Sequence, residues 1–228
     1  PYFRCHHYNE LTFSMIYAYS ENFVLVFSHD EVVHGKGSLV NKMPGQTFED
    51  KFANLRAAYG FMMGHPGKKL LFMGQDFGQF HEWDEKVSLD WYLTKEPFHA
   101  DLQNYVKGLL TLYHKYPALY RLDEEYDGFQ WINANDGDRS IFSFIRRDET
   151  QKKNLLFICN FTPVDRDDYR VGVPKRGTYT LLLDQEHGYY KRGDKISHYR
   201  SIKSECDGQP YSFAYPLPAY GTAVFRFS

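Results

Sequence analysis

Apolar positions in the first half of the chain recur with two alternating periods. Leu11, Phe13, Met15, Ile16 and Tyr19 follow Asn9 at helical spacing, with Asn9 as the expected cap. Residues 23–27 form an uninterrupted, β-branched apolar run, the pattern of a strand buried on both faces. That run stops abruptly at Ser28-His29-Asp30-Glu31, ahead of a loop containing Gly35, Gly37 and Gly45. Thr47 and Asp50 have the spacing of a capping box, with Asp in place of the usual Glu or Gln. Phe48, Phe52, Leu55, Tyr59 and Met62 then predict a helix, stopped by Gly64-His65-Pro66-Gly67. Residues 69–73 predict a second buried strand ending in Gly74-Gln75-Asp76. Beyond a polar and aromatic loop through Trp83 and Trp91, residues Leu102, Tyr105, Val106, Leu109, Leu110 and Tyr113 mark a helix that ends before Pro117.

Helix, strand, helix, strand and helix in that order, with polar residues at the end of each strand, describe a piece of an α/β fold with parallel strands. Two such strands neither close a barrel nor bury themselves, so further chain is expected upstream. After about residue 118 the pattern changes. Short apolar or alternating runs at 129–132, 140–146, 154–160, 178–183 and 222–227 are separated by turn clusters such as Asn135-Asp136-Gly137-Asp138. They predict an antiparallel β-sandwich over residues 119–228, distinct from the α/β part at 1–118.

Composition narrows the function classes. With 27 basic and 29 acidic residues the net charge is −2, which argues against a nucleic-acid partner. Every apolar run is too short to span a bilayer, so no membrane role is expected. Three widely separated cysteines, Cys5, Cys159 and Cys206, make neither a disulfide framework nor a metal site, and suggest a reducing cytoplasm. The chain starts at Pro1 rather than Met and is expected to be processed or cut from a longer protein. The 19 Tyr, 19 Phe and 3 Trp suit a large core first and a sugar-stacking surface second.

The densest polar cluster is Ser28-His29-Asp30-Glu31-Val32-Val33-His34-Gly35-Lys36-Gly37. It falls where a parallel strand would deliver side chains to the active-site face of an α/β barrel. His29 and His34 with Glu31 between them do not make a zinc-protease motif. The spacing is i, i+5, Asp30 follows the first His, and the segment is not helical. No metal is expected here, and His6-His7 read as surface or packing residues.

These residues carry a family resemblance. Residues 21–25 followed by Ser28-His29-Asp30-Glu31-Val32-Val33-His34-Gly35-Lys36 resemble the seventh barrel strand of the 1,4-α-glucan (glycogen) branching enzymes of the α-amylase superfamily. Residues 69–80 with Glu82-Trp83 resemble their eighth strand and its loop. Ala219-Tyr220-Gly221-Thr222-Ala223-Val224 resembles the end of their C-terminal sandwich. The His-Asp pair marks the superfamily, and the extension from Glu31 to Lys36 is more specific to branching enzymes. Asp76 departs from the Glu found in many relatives, so no role is assigned to it.

The resemblance implies the last two strands of a TIM (β/α)8 barrel followed by a β-sandwich. It also implies retaining transglycosylation, in which an α-1,4 bond is cleaved and the chain passes to a 6-hydroxyl to form an α-1,6 branch in glycogen biosynthesis. Asp30 matches the third carboxylate, the transition-state stabiliser, with His29 holding the same sugar. Glu31, His34, Lys36 and Trp83 are secondary substrate-binding candidates. No cofactor is implied, and the partner is an α-glucan such as glycogen or amylose. The nucleophile and acid/base lie upstream of Pro1 in the family, so this chain alone is expected to be inactive. Self-association through open strand edges is also expected. The alternatives are another superfamily hydrolase, a non-catalytic glucan-binding module, or a sandwich that acts only as a stabilising cap.

Overall fold

The computed structural model describes residues 2–191 and 193–228. The chain opens with short helical turns, including α1 (Tyr8–Phe13), and then enters strand β1 (Val24–Phe27). Helix α1 starts before Asn9, and the residue preceding it, His7, makes no side-chain cap; His7 instead pairs with Glu10 at 2.7 Å. A short helix α2 (Leu39–Lys42) and the long α3 (Phe48–Gly64) follow, then β2 (Lys68–Leu71) and α4 (Pro97–Lys115). The expected capping box at the start of α3 is present in both directions: Thr47 Oγ1 accepts from the Asp50 N–H, and Asp50 accepts from the Thr47 N–H.

Strands β1 and β2 pair in parallel, from Val24 opposite Lys68 to Phe27 opposite Leu71. The expectation that both are buried on two faces fails. Burial alternates along each, with Val24 51% and Val26 47% exposed. An apolar run reports a strand that tolerates cover on both sides, but burial needs neighbours, and each of these strands has one.

The second half is antiparallel. Strands β3 (Phe129–Asp136), β4 (Ile141–Arg146), β5 (Asn154–Asn160), β7 (Thr178–Asp184), β8 (Gly188–Tyr189), β9 (His198–Arg200) and β11 (Thr222–Phe227) make one sheet, ordered β3-β4-β5-β11-β7-β8 with β9 also on β7. Strands β6 (Arg166–Val173) and β10 (Tyr211–Leu217) form a second, two-stranded sheet. The large sheet separates two cores. On one face Phe142, Phe144, Leu155, Phe157 and Val224 pack with Phe52, Leu55, Tyr59, Leu102 and Leu109 of α3 and α4. On the other, Ile141, Ile145, Leu156, Ile158 and Phe225 meet Val171, Val173 and Phe213 of the small sheet. The period of two along β4 and β5 thus feeds alternate side chains to two cores. This makes β5 buried at every position.

Helix α3 approaches the sheet closely because Gly60 and Gly64 carry no Cβ. One added at Gly60 would stand 2.6 Å from Thr222 Oγ1, and one at Gly64 2.7 Å from Phe144 Cζ. An ion-pair network ties the same junction. Fully buried Arg146 donates to Asp123 Oδ1 at 2.6 Å and to the Gly64 and Gly128 carbonyls, and Lys68 reaches Asp123 Oδ2 at 2.9 Å.

Candidate functional site at the ends of the parallel strands

The hydrogen bond from Phe72 N to the Phe27 carbonyl closes the ladder between β1 and β2, and both chains then turn away. Ser28 caps a single 3₁₀ turn, His29–Glu31, its hydroxyl accepting from the Asp30 N–H at 3.1 Å. This turn presents His29 and Asp30 side by side. Their side chains are 57% and 71% exposed, and His29 Nε2 lies 3.5 Å from Asp30 Oδ1. The His29 ring sits 6.0 Å from that of Phe72, just beyond β2. The sequence-predicted pair therefore stands at the carboxyl end of a parallel strand, open to solvent.

The other candidates have structural work nearby. Lys36 Nζ donates to the Asp30 carbonyl at 2.7 Å, so it clasps the backbone of that residue rather than its carboxylate. Lys42 Nζ donates likewise to the Glu31 carbonyl. Glu31 Oε2 is buried without a partner among the described residues. His34, exposed, takes a left-handed conformation at φ 59°, followed by Gly35 at 79° and Gly37 at 71°. Asn and His tolerate this region better than bulky residues, and glycine best of all. Trp83 donates its backbone N–H to the Val32 carbonyl at 2.9 Å and sets its ring edge-on to Phe72 at 5.1 Å. It lines a water-sized cavity of about 10 Å³ with Val32, Ser38 and Gln75.

Glu82 is the site residue that sequence reading missed as an anchor. Its two carboxylate oxygens accept from the Gly35 N–H at 2.7 Å and the Gly37 N–H at 2.8 Å. Those two bonds hold the carboxyl below the usual range. The left-handed turn aims both amides the same way, forming a small anion nest for it. The sequence signal was the Gly-Lys-Gly spacing of Gly35 and Gly37 opposite an acidic loop. Asp76, to which no role was given, accepts from Gln103 of α4 at 3.1 Å.

An exposed carboxylate beside an imidazole can hold two neighbouring hydroxyls, one accepting and one donating. Among the described residues, no group of three or more His, Cys, Asp and Glu side chains is placed to hold a metal. No helix among the described residues is long and apolar enough to cross a membrane.

Residues 131–228 match the family described as alpha amylase, C-terminal all-beta domain. Across its length the chain is 50% identical to the 1,4-alpha-glucan branching enzyme GlgB of Butyrivibrio fibrisolvens, covering 100% of this chain and 36% of that protein. The enzymes of the same name from Aquifex aeolicus and Bacillus caldolyticus are 47% and 44% identical, over 96% and 99% of this chain. The chain thus spans 35% and 34% of the length of those two relatives. In fold it is similar to the catalytic module of the multi-modular glycogen-degrading pneumococcal virulence factor SpuA. The TM-score is 0.64 at 14% identity, over 96% of this chain and 39% of that one. The chain is thus similar along its length to one part of the 1,4-alpha-glucan branching enzymes, and residues 131–228 match the all-β C-terminal domain of the alpha amylases.

Proposed function

We propose that this chain supplies the third carboxylate of a retaining transglycosylase that cleaves α-1,4-glucan and transfers the released chain to a glucan 6-hydroxyl. Residues 1–118 would then be the end of a (β/α)8 catalytic barrel, with β1 and β2 its last two strands, and 119–228 the sandwich domain. Asp30 grips the 2- and 3-hydroxyls of the sugar being cleaved, in bonds that strengthen as the ring flattens toward an oxocarbenium ion. His29 holds the same sugar. Charge-assisted bonds of this kind are about twice as strong as neutral ones, enough to favour the distorted ring.

Glu31, His34, Lys36 and Trp83 lie around the pair. The bonds that Lys36 and Trp83 make to the backbone of residues 30 and 32 support a role in placing Asp30. Nucleophile and acid/base come from residues outside this chain, which alone is inactive. The glucan would be glycogen or amylose and the setting cytoplasmic. Exposed Val24, Val26, Leu70 and Met73 support cover of β1 and β2 by further strands of the longer protein. The isolated chain would then self-associate through that face.

The observation that carries the proposal is 44–50% identity across this chain to proteins named as 1,4-alpha-glucan branching enzymes. The test uses the longer protein, wild type and Asp30→Asn, on unbranched amylose followed by proton NMR. New α-1,6 signals in wild type, absent from the variant, are expected. Reducing ends without α-1,6 signals would instead identify a hydrolase, and turnover by the 228-residue chain alone would overturn its assigned inactivity.

A further inference from the structure

A groove of about 420 Å³ opens on the large sheet where β7 lies between β11 and β9. Strand register sets its floor. Thr180 stands opposite Arg226 of β11 on one side and opposite His198 of β9 on the other, and Thr178 stands opposite Arg200. Directly paired residues in antiparallel strands share a face, as do residues two apart along one strand. Arg226, His198 and Arg200 therefore emerge on the same face as the Thr178 and Thr180 side chains. Val224, two residues before Arg226, packs under α3 and α4. The groove is thus the part of that face which the helices leave bare, and Arg226, His198, Arg200 and Thr178 are exposed. Strand spacing puts β11 and β9 about 10 Å apart, so long side chains from both reach over Thr180. Lys175, from the segment joining β6 to β7, lines the same groove.

These cations lack counter-charges. Among the described residues no Asp or Glu lines the groove, and Lys175, Arg200 and Arg226 form no ion pair, with the chain-end carboxylate beside Arg226 and Phe227 included. The chain as a whole has a net charge of −2, so the excess of positive charge is local. Gathering like charges without partners costs self-repulsion, which a bound anion relieves. The donor set selects the anion. Guanidinium forks fit tetrahedral oxyanions bidentately, lysine adds a mobile point charge, and threonine hydroxyls donate without charge. The Thr180 hydroxyl lies 3.1 Å from His198 Nδ1, which fixes the imidazole beside it. A phosphate monoester carries close to two charges at pH 7 and gains more from several cations than a carboxylate does. The groove is larger than orthophosphate, leaving space for the group that an ester carries.

We propose that Lys175, Arg226 and His198, with Thr178 and Thr180, form a binding site for a phosphate dianion, free or as the monoester of a small molecule. None of these residues belongs to the turn at Asp30, and the site stands independently of the chemistry proposed there.

The test titrates this chain, isotope-labelled, with inorganic phosphate, glucose 6-phosphate and glucose at constant ionic strength, following amide shifts at Thr178, Thr180, His198 and Arg226. Saturable shifts centred on these strands are expected from both phosphates, and none from glucose. Tighter binding of the ester supports a monoester site, and tighter binding of inorganic phosphate a site for the free ion. Arg226→Gln should weaken phosphate about tenfold, the loss of a bidentate charge-assisted pair, and Lys175→Gln several-fold. Both side chains are exposed, so these variants keep the fold. Lys195→Gln, an exposed lysine that does not line the groove, should leave the affinity unchanged. Absence of saturation at millimolar phosphate overturns the site, as does unchanged affinity in both Arg226→Gln and Lys175→Gln. An equal loss in Lys195→Gln would reduce the effect to general screening and overturn it too, and so would equal shifts with glucose.

Discussion

Removing Asp123 should destabilise the chain more than any other single surface-reaching carboxylate, because of what it leaves behind. Arg146 is wholly buried and donates to the Gly64 and Gly128 carbonyls, with Asp123, at 2.6 Å, its one anionic partner among the described residues. Asp123→Ala leaves that guanidinium uncompensated inside the protein, which costs about 3–5 kcal/mol. The second contact contributes far less: Lys68 is 53% exposed at its side chain, and pairs of that kind are worth about 0.2–1 kcal/mol. With a urea slope of about 2 kcal/mol per molar, Asp123→Ala lowers the unfolding midpoint by about 1.5–2.5 M. Lys68→Met should move it by less than about 0.5 M on the same slope.

The pH dependence is a second reading of the same pair. Burial alone would raise the Asp123 pKa above its ordinary 3.8, but the Arg146 guanidinium and the bonds from Lys68 and Arg146 outweigh it and hold it below. A depressed carboxylate contributes stability above its unfolded pKa and loses it as pH falls through the folded value. The gap between wild type and Asp123→Asn should therefore be constant above about pH 5 and close progressively below 3.8. Equal midpoint shifts for Asp123→Ala and Lys68→Met, or a loss below about 1 kcal/mol for the former, would refute the account of a buried, unscreened pair.

Gly60→Ala should lower the melting temperature by about 4–8 °C: crowding of Thr222 and the Tyr105 hydroxyl at 2.6–2.8 Å costs about 3 kcal/mol, against about 1 kcal/mol gained in helix propensity. Thr47→Ala removes the Oγ1 that accepts from the Asp50 N–H and should cost about 1 kcal/mol in urea unfolding, with Thr47→Ser nearly neutral. Glu82→Gln puts an amide NH2 against one of two N–H donors. Amide exchange at Gly35 and Gly37 should accelerate in that variant, and in wild type as pH falls through the depressed carboxyl pKa, while α3 amides stay protected.

What the sequence disclosed followed the strength of its patterns. Strands β5 and β11 occupy the expected 154–160 and 222–227, since short, largely apolar runs between turn residues leave few alternatives. Strands β6 and β10 escaped notice. The first opens with Arg166-Asp167-Asp168, and the second carries exposed Pro216 at a register shift, so neither shows clean alternation. Residues 23–27 gave the opposite error, because composition records what a strand can bury and not what covers it. The groove that α3 and α4 form with the 185–190 turn was also invisible. Arg56, Tyr105 and Gln185 meet there from segments far apart in sequence.

The site divides along the same line. His29 and Asp30 were legible because a strand end fixes where adjacent residues emerge, a local consequence of β1 and its Ser28 cap. Glu82 was not, since its partners are backbone N–H groups 45 and 47 residues away, aimed by positive φ at Gly35 and Gly37. The same loop contributes Trp83 N–H to the Val32 carbonyl, and Asn41 Nδ2 donates to the Phe80 carbonyl at 2.9 Å. The turn holding Asp30 is thus fastened from the segment after β2, over a ring contact of Phe72 with both His29 and Trp83. Residues first read as touching sugar, Lys36 and Trp83, are bonded into that fastening. Their effect on chemistry would pass through the position of Asp30, where errors near 1 Å are costly to catalysis.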